Sequence, residues 1–233
     1  MRWIALVSLC IQLGCERMAH PPCSPDAAEV SNRPAADAAT TARYFPALSR
    51  DQARFFFDQG AGELVALGER PLPEIAPAHA YRVLETGTFG SSILIERASA
   101  QSVLHETRWR VCEDRYGFGL LQIRSAVALE GTAWRRVDGC MQTALWSAEP
   151  VVIDGSSIHS WVMACASGMH EASCVSAPGG PTIIEGFQGS RHHAALLEGR
   201  DNGRDRALKE CVRIVRDVAS TMPSPNATRP APT

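Results

Sequence analysis

The sequence predicts an α+β domain, in which an antiparallel sheet has its helices packed on one side. From Ala80 onward, apolar and polar residues alternate with a period of two over three successive segments, which is typical of strands. Two later segments, 132–147 and 201–219, instead repeat apolar residues every three and four positions, as amphipathic helices do. The order strands, helix, strands and helix favours the α+β class.

The chain begins with the pattern of an export signal. Arg2 is followed by an apolar run over residues 3–13, which is too short to span a bilayer as a mature helix. Gly14 before Cys15 resembles the end of a bacterial lipoprotein signal, in which the cysteine is lipidated and becomes the first residue. Gln12 stands where that pattern usually has Leu, so simple secretion with later cleavage stays open. We therefore expect an export signal over 1–14 and a lipid anchor on Cys15.

Two terminal segments have compositions that do not favour a packed core. Residues 15–43 are rich in Ala, Pro, Ser, Thr and charge and have almost no large apolar residue, so we predict a disordered tether. Residues 221–233 are predicted to be a disordered tail for the same reason. The single domain is then expected over 44–220, outside the cytoplasm, in the cell envelope on the periplasmic side or secreted. Membrane contact is expected only through the N-terminal lipid.

Charge and cysteine content narrow the possible partners. The chain has 23 basic and 25 acidic side chains, mixed along its length, so no nucleic-acid partner is expected. Six cysteines remain besides Cys10 and Cys15, and an even set in an exported chain indicates disulfides whose pairing the sequence leaves open. Cys165 and Cys174 could close a short loop. Zinc sites usually have C-x-x-C or H-x-x-x-H spacings, and neither occurs here, so no metal and no cofactor is predicted. The disulfide candidates are Cys112, Cys140, Cys165, Cys174 and Cys211.

The first elements follow from local patterns. Residues 48–59, LSRDQARFFFDQ, predict a helix, with Ser49 and Gln52 placed as a capping box. Gly60 and Gly62 are expected to interrupt this helix before Pro71 ends the helical region. Three strands then follow as an antiparallel meander, and GFGLLQIRSAVAL extends the sheet. The meander strands are YRVLET, SSILIER and VLHETRWRVC.

The second half repeats the order of helix, strands and helix. TAWRRVDGCMQTALWS predicts a helix in which Thr132 caps the start. SWVMACAS and the stretch from Thr182 to Glu198 predict further strands, and the segment 201–219 predicts the last helix. Trp109, Trp134, Trp146 and Trp161 fall in these elements and are interpreted as packing residues.

Two segments together, WRRVDGCMQTALWS and IIEGFQGSRHH, resemble a group of small uncharacterised bacterial proteins. Those proteins carry a strand rich in Glu-Gly, a tight turn and a Tyr-His strand, after an earlier YRxL strand like residues 81–84. Thr182, His192 and residues 197–199 depart from the group, which has Trp, Tyr and Arg-Trp-Ser there. The resemblance covers residues 80–217, with an extra cysteine-bearing insertion around 151–178, and it implies the fold but no activity.

The most suggestive chemistry lies in the predicted hairpin. If Gly189 and Ser190 form a type II′ turn, Phe187 lies opposite His192. Glu185 and His192 are then diagonal neighbours on one face, close enough for the carboxylate to orient the imidazole. His193 lies on the other face. The alternative is a solvated Glu–His pair near the sheet edge, with Gly186 admitting a facing aromatic side chain.

The leading hypothesis is a non-enzymatic, lipid-anchored or secreted cell-envelope protein that binds a protein or an envelope component. The alternative is a small hydrolase or metal-dependent enzyme that uses Glu185, His192 and His193, with Cys174 or His170. The sequence has no G-x-S-x-G elbow and no H-E-x-x-H motif. A third possibility, a periplasmic inhibitor stabilised by disulfides, differs from the first only in having a protease as its partner.

Overall fold

The computed structural model describes residues 30–32, 36–46, 54–75, 79–87, 89–99, 101–114, 117–147, 182–197 and 203–221. The strands in these ranges are β1 (Val30–Asn32), β2 (His79–Glu85), β3 (Phe89–Ala98), β4 (Gln101–Asp114), β5 (Gly117–Leu129), β6 (Thr182–Gln188) and β7 (Arg191–Leu197). The helices are α1 (Ala38–Tyr44), α2 (Arg54–Ala66), the 3-10 helix Leu72–Glu74, α3 (Gly131–Ala144) and α4 (Gly203–Ser220). The predicted α+β class is confirmed.

All the described strands join one antiparallel sheet in the order β1-β5-β4-β3-β2-β6-β7. The predicted meander is confirmed, because β2, β3, β4 and β5 are neighbours in sequence order. The chain then passes through α3 and returns to the other side of β2, where β6 and β7 complete the sheet. As a result, β2 and β6 are central strands, and their side chains pack against other residues on both faces of the sheet.

The prediction that helices pack on one side of the sheet is wrong, because the described helices lie on both faces. Tyr81, Val83 and Ile184 pack in an apolar cluster with α3 and α4. Leu84 and Ile183, which point to the opposite face, pack in a second cluster with α1 and α2. The central strands are buried at consecutive positions rather than alternate ones, so each face needs its own layer of helices.

Helix α2 runs without a break through Gly60 and Gly62, which corrects the predicted interruption. A Cβ atom at Gly60 would lie only 2.6 Å from Ile183 Cδ1 and 3.1 Å from Leu84 Cδ2. Glycine therefore lets the helix axis approach the sheet closely. Burial of the neighbouring Phe57 and the rest of this cluster outweighs the loss of about 1 kcal/mol of helix propensity. The predicted capping box lies outside the described residues.

The folded domain starts earlier than residue 44, so the predicted tether over 15–43 is wrong in its later part. Residues 30–32 pair with β5, and Asp37 caps α1 by accepting a hydrogen bond from the Thr40 backbone nitrogen at 2.7 Å. Tyr44 and Phe45 bring α1 into the apolar cluster beside α2. A helix that looked too polar to pack is thus held by two aromatic residues at its end. Residues 15–29 and 222–233 lie outside the described residues.

The predicted helices α3 and α4 are confirmed, but Thr132 does not cap α3. The helix begins at Gly131 with Glu130 in the N-cap position. A disulfide between Cys140 and Cys211 joins the two helices, which realises one of the pairings that the sequence left open. Trp109 and Trp134 are buried, as expected of packing residues. The predicted strand at 160–167 and Trp161, Cys165, His170 and Cys174 lie outside the described residues, as does the side chain of Cys112.

Candidate functional site

The β6–β7 hairpin has the predicted turn and register. Gly189 has φ +61°, whereas Ser190 has no positive φ, and this combination is that of a two-residue type II′ turn. Phe187 pairs with His192, and Gly186 pairs with His193. The turn thereby places the side chain of His192 on the same face as Glu185.

Glu185 and His192 are brought together, as the sequence suggested. His192 Nε2 lies 3.1 Å from Glu185 Oε1. The Glu185 side chain is 0% exposed and that of His192 is 6% exposed. The alternative of a solvated pair is therefore wrong, because both side chains are removed from water.

Arg82 completes this pair and was missed by the sequence analysis. It lies directly opposite Glu185 in the β2–β6 register, and its Nη1 donates a hydrogen bond to Glu185 Oε2 at 3.0 Å. Its Nη2 donates to the Arg70 carbonyl at 2.6 Å, and its Nε lies 3.3 Å from Glu69 Oε2 as an ion-pair contact. Ser92 Oγ donates to the same Glu69 oxygen at 2.8 Å. The result is a buried network that joins β7, β6, β2 and β3.

The network is better suited to holding the sheet together than to catalysis. Each oxygen of the Glu185 carboxylate already has a partner, and a general base must reach the proton that it abstracts. His192 Nδ1 has no hydrogen-bond partner among the described residues and is buried. His193 lies on the opposite face, 6.1 Å from Trp146 between ring centroids. The three candidate residues therefore do not form one site.

Gly186 admits aromatic side chains on that opposite face, as predicted. A Cβ atom there would lie 2.8 Å from Leu145 Cδ2, 3.2 Å from Trp146 Cζ2 and 3.3 Å from Tyr81 Cε1. Both aromatic rings thus rest on the backbone of β6. This glycine serves the packing of α3 against the sheet.

An open cleft lies on the α2 face of the sheet, where α2 ends and β3, β4 and β5 continue without cover from the described helices. Its volume is about 550 Å³. Across its floor, His105 Nε2 lies 3.1 Å from Glu96 Oε1, and Arg124 donates to Gln122 Oε1 and to the Leu67 carbonyl. The lining residues are Gly68, Glu69, Arg70, Ile75, Leu94, Glu96, His105, Thr107, Arg124, Ser125 and Ala126.

Glu69 connects the cleft with the buried network. Its carboxylate is 13% exposed on the cleft wall while it contacts the fully buried Arg82. The contact with Arg82 therefore holds the Glu69 carboxylate in a fixed position on the cleft wall. Among the described residues, no group of three or more His, Cys, Asp or Glu side chains could hold a metal ion.

A separate polar cluster lies on the α3 face around His79. Tyr81 Oη donates to Asp138 Oδ1 at 2.8 Å, and His79 Nε2 lies 2.9 Å from Tyr81 Oη. Burial raises the pKa of the Tyr81 hydroxyl well above its usual range. Burial also lowers the pKa of His79, and the nearby Asp138 carboxylate only partly opposes that shift.

We expect His79 to make stability depend on pH. Since its pKa is lower in the folded protein, the unfolded chain takes up the proton more readily. The contribution of neutral His79 to the free energy of unfolding is therefore complete above the ordinary histidine pKa of about 6.5. It is lost as the pH falls toward the pKa of His79 in the folded protein. Urea unfolding between about pH 7.5 and 5.5 should show this decline, and His79→Gln should flatten it. His105→Gln, on the more exposed His105, is the control, and an equal flattening by it would contradict the assignment.

No protein-family model, curated protein or solved structure matches this chain. The similarity to small bacterial proteins with a YRxL strand and a Glu-Gly hairpin therefore stays a prediction. Within the part of the chain that the structure describes, no helix is long and apolar enough to cross a membrane.

Proposed function

We propose that this chain is an exported cell-envelope protein, anchored through a lipid on Cys15, whose domain binds a small polar ligand in the cleft on β3, β4 and β5. The observation that carries the proposal is the cleft itself. The central strands are covered on both faces, whereas the described helices leave this part of β3, β4 and β5 open, and the open area carries charges of both signs. Concave sites with a few convergent polar groups are where small ligands bind.

Binding is favoured over catalysis by where the titratable groups lie. The carboxylate–imidazole pair that could act as a base, Glu185 and His192, is sealed in the interior. A second carboxylate–imidazole pair, Glu96 and His105, is 25% and 41% exposed and faces the open cleft. An accessible pair of this kind can donate and accept hydrogen bonds to a ligand.

The lining indicates the class of ligand. Glu69 and Glu96 offer carboxylates, Arg70 and Arg124 offer guanidinium groups, and Leu94 adds an apolar floor. Opposite charges within one cleft match a ligand that itself carries an ammonium and a carboxylate group. We infer an amino acid or a short peptide with a small apolar side chain, a class that includes envelope components.

The binding test uses Ala-Ala dipeptide as the zwitterionic probe and its N-acetylated amide as the neutral one. Titration followed by NMR should give saturable shifts at β3, β4 and β5 with the zwitterion only. Glu96→Gln should weaken its binding about tenfold or more, since a charged hydrogen bond is lost. Glu210→Gln, on the surface of α4, is the matched control. No saturable shift with either probe, or equal losses in the two variants, would count against the proposal.

The anchor is tested by intact mass of the protein expressed with its own signal in a bacterial host. A chain that starts at Cys15 and carries a diacylglyceryl group is the expected result. An unmodified chain cleaved at another position would replace the lipid anchor with simple secretion and would leave the cleft proposal as it stands.

A further inference from the structure

An exposed patch on the α3 face of the sheet combines apolar and basic side chains. We define this outer patch by Phe89, Ile123, Arg108 and Arg110. Phe89 is 66% exposed and Ile123 is 64% exposed, and Val65 at 37% is the only other exposed large apolar residue among those described. Exposed apolar side chains that lie close together beside arginines suggest a surface that contacts a partner.

The strand register places these four side chains together. Phe89 pairs with Arg110 across β3 and β4, and Arg108 pairs with Ile123 across β4 and β5. Arg108 and Arg110 are two residues apart on one strand, so their side chains point to the same face. The outer patch thus consists of two cross-strand pairs, each of an apolar residue and an arginine.

The charges around the outer patch favour an anionic partner. Arg108 Nε donates to Glu106 Oε1 at 2.7 Å, but its side chain remains 66% exposed and that of Glu106 only 11%. At its border, Arg216 pairs with Glu85. The outer patch and its border therefore contain three arginines and two glutamates, which gives a net positive charge. In both ion pairs the arginine is the more exposed member.

The path of the chain points to a membrane as this partner. Val30 of β1 pairs with Leu121, which pairs with Arg110 of the outer patch. From Val30 to Phe89 is a distance of three strand spacings, about 14 Å. Only fourteen residues lie between Cys15 and Val30, and that length spans at most about 50 Å in any conformation. A lipid on Cys15 would therefore keep the edge of the outer patch within reach of the bilayer.

We propose that the outer patch rests on an anionic lipid surface, with Phe89 and Ile123 in the headgroup region and Arg108 and Arg110 at the phosphates. This inference rests on the proposed lipid anchor, because the anchor is what brings the patch to the membrane. Apolar contact and electrostatic attraction act together in such interfacial binding. The cleft on the opposite face of the sheet then points away from the lipid and stays open to ligands.

The test uses the mature chain, residues 15–233, with Cys15→Ser so that no lipid is attached. This chain contains every described element. Its co-sedimentation is measured with vesicles of phosphatidylcholine with and without phosphatidylglycerol. We expect binding only when phosphatidylglycerol is present and weaker binding at high salt. Phe89→Ser with Ile123→Ser should weaken it about tenfold or more, and Arg108→Gln with Arg110→Gln should remove its salt dependence.

Val65→Ser is the matched control, because Val65 is an exposed apolar residue on α2, on the opposite face of the sheet. It should leave vesicle binding unchanged. Absence of binding by the parent chain, or an equal loss with Val65→Ser, would overturn the proposal. Ultracentrifugation in the absence of vesicles adds a second arm. If the parent is a dimer that Phe89→Ser and Ile123→Ser dissociate without changing vesicle binding, the outer patch is a self-association surface instead.

These outcomes are separate from those of the proposed function. A failure of vesicle binding together with a lipidated mass would reject the outer patch and keep the anchor. Vesicle binding together with an unlipidated mass would reject the anchor and keep a lipid-binding face. Titration with Ala-Ala dipeptide is independent of both results.

Discussion

Glu185→Leu should lower the free energy of unfolding by about 3 kcal/mol, because it leaves the guanidinium of Arg82 buried without its main partner. Arg82 is 0% exposed, so water cannot replace the lost carboxylate. The expected loss lies at the lower end of the usual range of about 3–5 kcal/mol, since Arg82 keeps its contacts with Glu69 and the Arg70 carbonyl. His192 also loses the acceptor of its Nε2 contact.

Urea unfolding of the single and double variants measures this effect. Adding Arg82→Met to Glu185→Leu should restore part of the loss, because the second change removes the charge that the first one isolates. Glu96→Ala is the control, since the partly exposed Glu96–His105 pair should contribute no more than about 1 kcal/mol. If Glu185→Leu costs less than Glu96→Ala, the buried network is not a stabilising element of the sheet.

The hairpin could be predicted because its information is local. A Gly-Ser turn between two apolar runs allows few registers, and a shift by one residue would exchange the buried and exposed faces. The pairing of Phe187 with His192 and the proximity of Glu185 to His192 follow directly from that register. Their burial does not follow, because it depends on which elements cover the hairpin.

Arg82 could not be assigned from the sequence because its partner Glu185 is 103 residues away. In the YRVLET strand, an arginine between apolar residues resembles the exposed face of an edge strand. Only the return of the chain through α3 makes β2 a central strand, and that return places Arg82 opposite Glu185. The sequence does contain one signal for this pair. Arg82 and Glu185 each lie in the middle of an otherwise apolar strand, which indicates that the two charges neutralise each other in the interior.

The helix layers were mispredicted for a related reason. Alternation of apolar and polar residues predicts one buried face, yet Leu84 and Ile183 pack under α2 while Val83 and Ile184 pack under α3 and α4. Strands that are apolar at consecutive positions require cover on both faces. The cleft lies beyond the end of α2, on β3, β4 and β5. These strands are more polar and do not require helices on both faces. The candidate binding site therefore lies where the sheet extends beyond the helices in the part of the chain that the structure describes.

The double variant Cys140→Ala with Cys211→Ala should lose about 4 kcal/mol of unfolding free energy, because the disulfide closes a loop with a sequence separation of 71 residues and so restricts the unfolded chain. Cys211 is fully buried in the apolar cluster that α3 and α4 form with the sheet, so loss of its sulfur also removes packing. Reduction of the parent chain should lower its stability to a similar extent. The measurement is urea unfolding of the oxidised parent, the reduced parent and the double variant.

The contribution of this disulfide to stability depends on the compartment in which the protein folds. Disulfides persist in oxidising compartments and are rare in the cytoplasm, so a bond of this strength would make stability depend on export. We expect protein that is retained in a reducing cytoplasm to unfold at urea concentrations close to those of the double variant. A double variant within about 1 kcal/mol of the parent would mean that packing of α3 on α4 holds this face without the bond. The stability of the domain would then give no reason to expect that it needs an oxidising compartment.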